Sequence, residues 1–72
     1  MKPTDTELNK RFSFSPARNN AEQKAYLHLD VRFEEFAKEL RDFVPDERCL
    51  ELALTKLEEA RFWSKHGIAR GE

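Results

Sequence analysis

From Asn20 onward, apolar side chains recur at Tyr26, Leu29, Phe33, Phe36, Leu40 and Phe43. Steps of three and four residues line up on one face of a helix. The helix is expected to begin near Asn19 or Asn20, with Asn20 placed to cap the exposed N–H groups and Gln23 completing a capping-box-like pattern. The segment Tyr26–Phe33 also alternates with period two, as a strand does. The longer repeat and the Glu34/Lys38 spacing favour a helix, with Leu27 and Val31 as a flanking stripe. Pro45 ends it.

A short connector, Val44-Pro45-Asp46-Glu47-Arg48, leads to a second helix predicted from about Glu47 to Ala69. Its expected inner stripe is Leu50, Ala53, Leu57, Ala60, Ser64 and Gly67 or Ile68, with Leu54, Phe62 and Trp63 outside it. Small residues on that stripe allow close helix approach. Two helices of this length, each roughly 35 Å long, joined by so short a link must fold back on each other. The predicted fold class is all-α: an antiparallel two-helix hairpin (residues 21–72) preceded by an extended or short helical arm (residues 1–20). Within the arm, Met1–Asn9 is polar and expected to fray. A two-helix hairpin has one internal contact plane, too little for six Phe, Trp63, Tyr26 and the leucines. The surplus predicts a symmetric homo-oligomer.

Composition narrows the possibilities. Seventy-two residues make one small domain, a size at which a partner or staple is usually needed. The single cysteine, Cys49, excludes an internal disulfide and suits a reducing compartment; it is expected to pack as a small apolar residue. His28 and His66 lie far apart, so no metal site is expected. Neither a signal peptide nor a membrane-spanning run is expected. The chain carries net charge −1, yet residues 1–20 hold four basic and two acidic side chains, which leaves −3 for the rest. That balance argues against a DNA-binding coat and marks the arm as locally basic.

The run Leu52-Ala53-Leu54-Thr55-Lys56-Leu57-Glu58-Glu59-Ala60, followed by Trp63 and Ile68-Ala69-Arg70, resembles a phage family of helical hairpins. These are the anti-CBASS cyclic-nucleotide sponges and the hairpin part of the Thoeris anti-defence sponges. The similar pieces upstream are Phe12-Ser13-Phe14-Ser15-Pro16, Tyr26, Arg32 and Pro45-Asp46, so the resemblance spans about residues 12–72. Phe14 stands where relatives usually have Tyr, and Ser15 where they have His. Trp63-Ser64-Lys65-His66-Gly67 replaces a commoner Trp-Ala-Asn run.

The resemblance implies a non-enzymatic sponge in the host cytoplasm, a homo-oligomer with a hexamer as the expected assembly. It would sequester cyclic dinucleotides, and cyclic trinucleotides at a separate site, so that CBASS effectors stay inactive. No cofactor, DNA or membrane partner is implied. Such ligands need aromatic platforms for bases and cations for phosphates. Phe14, with Lys10, Arg11 and Arg18 nearby, offers both, although either ring also suits docking on the hairpin, Phe12 more than Phe14. Arg32 is implied to contact phosphate and Arg70 to grip a trinucleotide at a symmetry axis; each also suits a plain surface role. Tyr26 is a stacking or interface residue or a core one, and Lys56 a phosphate contact or a solvated lysine. No nucleophile, paired catalytic carboxylates or phosphate-binding glycine loop is visible. The alternatives are a sponge for cyclic ADP-ribose-type signals and a small helical phage adaptor that occupies a host protein.

Overall fold

The computed structural model describes residues 1–13 and 17–71. Thr4 opens the first helix, α1 (Asp5–Ser13), through a reciprocal cap. The Glu7 N–H donates to Thr4 Oγ1 at 3.2 Å, and the Thr4 N–H donates to Glu7 Oε1 at 2.8 Å. The segment expected to fray is therefore helical from Asp5. In α2 (Asn20–Phe43) the cap is Asn19 rather than the expected Asn20, and its side chain accepts from the Glu22 N–H at 2.9 Å. The stretch that also alternated like a strand is helical throughout, and Lys38 pairs with Glu34 at 3.2 Å. Asp46 caps α3 (Glu47–Arg70) by accepting from the Cys49 N–H at 2.8 Å. The Gly71 N–H closes the far end on the Gly67 carbonyl. Among the described residues there is no strand, and no helix is long and apolar enough to cross a membrane.

The helices α2 and α3 run antiparallel, and α1 packs against both of them. The core consists of Leu8 and Phe12 from α1, Ala37 from α2, and Leu50 and Leu54 from α3. Phe33, Leu40, Val44 and Leu57 pack against it. Phe12 is thus an anchor for the arm. Polar contacts fasten α1 along its length. Asp5 pairs with Arg41, Asn9 donates to Glu34 at 3.0 Å, and Arg11 reaches Glu58 and Glu51. The amino terminus pairs with Glu47, and Lys2 donates to the Arg41 carbonyl at 2.8 Å.

This third layer corrects several expectations. Leu54, placed outside the inner stripe, is fully buried because it meets α1, whereas Ala60, Ser64 and Gly67 are exposed. On α2, Phe36 and Phe43 were expected inside, yet they are 49% and 83% exposed. The buried face instead runs through Glu22, Tyr26, Asp30 and Ala37. Glu58 is half-buried against Arg11. Cys49 is exposed rather than packed, and its hydrogen bond with Asp46 pushes the thiol pKa up. Leu27, Val31, Leu52, Phe62 and Trp63 also remain exposed, so α1 covers only part of the apolar surplus.

Truncating Phe12 to Ala should cost about 3–5 kcal/mol, enough to abolish cooperative melting of a chain this small. A sharp thermal transition within a few degrees of the parent would show that α1 is not part of the folded unit. Three carboxylates are held below their ordinary pKa: Asp5 by Arg41, Glu22 by Arg18, and Asp46 by the Cys49 backbone N–H. Lowered folded-state values stabilise above the unfolded range and lose that contribution as pH falls through the folded values. The melting temperature should hold from neutrality to about pH 5 and then drop on acidification below about pH 4. A temperature that rises over that acid interval would contradict these pairings.

Candidate ligand-binding groove

The helical hairpin carries a groove of about 480 Å³ between α2 and α3. Leu29, Arg32, Phe33, Glu35, Phe36 and Glu39 line it from α2, and Leu57 from α3. Their spacing puts them on a stripe of α2 different from the one that meets α1 at Glu34, Ala37 and Arg41. A cavity of several hundred Å³ with apolar walls and a few charged groups is of the size that takes a small-molecule ligand.

Arg32 is exposed and, among the described residues, takes part in no ion pair. Other arginines are committed. Arg11 holds Glu58 and Glu51, and that bonding raises its already high pKa. Arg18 pairs with Glu22 and donates to the Ala69 carbonyl at 2.6 Å, which ties the start of α2 to the end of α3. Arg41 pairs with Asp5 and Asp42.

A second feature lies inside the bundle. Asp30 is 3% exposed, and its carboxylate takes Arg61 Nε and Lys65 Nζ, each at 2.7 Å. Arg61 also donates to the Arg11 carbonyl at 3.4 Å. One carboxylate on α2 thereby gathers two cations of α3 and, through one of them, the end of α1. Burial pulls the Lys65 ammonium below its ordinary pKa, while Asp30 works the other way. The same ammonium sits 5.5 Å from the centre of the Tyr26 ring, and the Tyr26 hydroxyl donates to the Lys65 carbonyl at 3.4 Å. Tyr26 is buried beside this network.

The expected site residues therefore do not converge within one chain. Arg32 lines the groove. Arg11 and Tyr26 flank the Asp30 network. Lys56 is exposed on α3, 3.6 Å from Glu59, and Arg70 is exposed in the last turn of α3. Phe14 lies outside the described residues. Glu35, Glu39 and Phe36 in the groove, and Asp30, Arg61 and Lys65 in the network, went unnoticed as site residues in the sequence. Asp30 was within reach of it: Tyr26, Asp30, Phe33, Ala37 and Leu40 repeat at four- and three-residue steps as regularly as the apolar set does.

The arrangement is a small helical bundle that carries a charged groove and a buried ion network linking its helices. Comparison with known proteins is more specific. A family model described as Acb2/Tad1, hairpin domain, matches residues 4–69, so the match takes in α1 as well as the hairpin. The chain belongs to that family, the anti-CBASS and anti-Thoeris sponges. No curated protein and no solved structure matches it.

Replacing Asp30 with Ala leaves two half-buried cations without their shared carboxylate and should cost about 3–5 kcal/mol. Lys56→Ala, which removes only an exposed pair, should change stability by less than about 1 kcal/mol. Denaturant unfolding of the two variants checks the contrast. Equal losses would mean that the Asp30 network is not what holds the helices in register.

Proposed function

We propose that this protein is a phage anti-defence sponge that binds cyclic oligonucleotide second messengers and holds them unaltered. Cyclic dinucleotides are the first ligand class and cyclic trinucleotides the second, and the consequence for the host is a CBASS effector left without its activator. The observation that carries this reading is Arg32. Its cation, exposed beside Phe33 and Phe36, has no carboxylate bound to it among the described residues. Phosphate is the natural partner of such a guanidinium, and an adjacent aromatic face suits a base. Family membership supports the same class of ligand.

The proposed working form is a homo-oligomer, with the hexamer as the expected assembly. Exposed Leu27, Val31, Phe36, Phe43, Leu52, Phe62 and Trp63 support self-association, because so much apolar surface on a small chain favours a protein contact. Copies related by symmetry bring several Arg32 or Arg70 cations around one ligand that has matching symmetry. That would reunite groups which a single chain keeps apart. Arg70 and Lys56 remain proposed phosphate contacts, Phe14 a proposed base platform, and Arg11 and Tyr26 proposed supports of the site.

A second reading has its own observation. On α3, Phe62, Trp63 and His66 form a ring cluster with centroids 5.2 to 5.8 Å apart, on an exposed face. A helical adaptor that grips a host protein would use such a face.

Native mass spectrometry with cyclic di- and trinucleotides and cyclic ADP-ribose isomers separates these readings. The sponge retains a cyclic dinucleotide at a fixed ratio to subunits. Arg32→Ala should weaken that binding about tenfold to a hundredfold, the value of a charge-assisted phosphate contact, with the assembly mass unchanged. Undiminished affinity in the variant removes Arg32 from the site. A parent protein that ignores every cyclic nucleotide favours the adaptor.

A further inference from the structure

Two carboxylates share the groove with Arg32, and phosphate binding makes no use of them. Glu35 and Glu39 stand one helical turn apart on α2, both exposed and both lining the cavity. Neither forms an ion pair among the described residues, whereas their neighbour Glu34 is tied to Lys38 and Asn9. Like charges at this spacing repel each other. Within one chain the groove thus sets one cation against two carboxylates. A ligand offering only phosphate would be attracted at Arg32 and opposed a turn away.

A ligand that is anionic at one end and rich in N–H donors at the other satisfies all three groups. Among the nucleobases, guanine has that second end. Its N1–H and N2–H groups lie side by side and can donate together to the two oxygens of one carboxylate. Adenine sets its N6 amine beside an N1 lone pair, which a carboxylate repels. Phe33 and Phe36 line the same groove and offer a face on which a base can stack. Arg32 is at hand for the phosphate.

We infer that Glu35 and Glu39 make the groove selective for guanine-containing cyclic nucleotides over all-adenine ones. The inference rests on the proposed role as a cyclic-nucleotide sponge and adds the choice of base. The two carboxylates are specificity determinants, while Arg32 supplies affinity for either kind of ligand.

Calorimetric titration of the full-length assembly with cyclic di-GMP and cyclic di-AMP tests it, using the parent and the double variant Glu35→Gln, Glu39→Gln. Both substitutions are at exposed helix positions where Gln is nearly as good a helix former as Glu, so the fold is retained. The parent should bind cyclic di-GMP at least about fivefold tighter than cyclic di-AMP, the discrimination expected of one bidentate base contact. In the double variant the two affinities should converge, cyclic di-GMP weakening while cyclic di-AMP tightens. If the carboxylates act only as bulk charge, both ligands tighten together and the ratio stays put, which overturns the inference. So does a parent that binds both equally, and that result leaves the sponge reading intact. A parent that binds neither ligand overturns the inference too, and the sponge reading then falls only if the remaining cyclic nucleotides are ignored as well.

Discussion

The fold depends on one buried carboxylate. Asp30 is nearly sealed from solvent, and an isolated charge there would be prohibitively costly. Its two bonds to Arg61 and Lys65 resolve that cost only when α2 and α3 meet in one register. Slipping either helix by a turn would bury the acid against apolar side chains and strand the bases. Because Arg61 also donates to the Arg11 carbonyl, the same network reaches the last turn of α1. A core as small as Leu8, Phe12, Ala37, Leu50 and Leu54 does not by itself specify register so sharply.

The second constraint is area. A lone hairpin cannot cover its apolar side chains, and the chain meets part of that demand by folding its own N-terminal segment back as a third helix. Leu54 is the clearest beneficiary, fully buried against α1. The rest of the demand stays open on the outward faces of α2 and α3, most plainly at Phe43 and Trp63, 83% and 64% exposed. In the proposed assembly those faces meet other copies, and ligand sites form from groups that one chain holds apart.

Much of this was legible in the sequence, and what was missed has a physical cause. The all-helical class, the approximate extent of both long helices and the break at Pro45 follow from spacing and from the cap and break residues, although the connector stops at Asp46, shorter than expected. The family was legible from the run Leu52–Ala60 and is the one the chain belongs to. The inner faces were misread because apolar periodicity assumes that buried positions are apolar. Here Glu22 and Asp30 occupy buried positions on α2, and Arg61 and Lys65 are half-buried opposite them, while Phe36 and Phe43 face outward. The helix at Asp5–Ser13 was hidden for a related reason. With Leu8 and Phe12 as its only buried residues, it lacks a stripe long enough to register as periodic. The groove was half legible: Arg32 was singled out through the family resemblance, but Glu35 and Glu39 read as ordinary solvated charge.

Sequestration differs from catalysis in what becomes of the bound molecule. The most direct measurement loads the protein with a cyclic dinucleotide, removes unbound ligand, denatures the protein with heat and identifies the released material by mass and retention time. A sponge returns the intact cyclic compound in the amount that was bound. Linear or monomeric products, or no retained ligand at all, would contradict it.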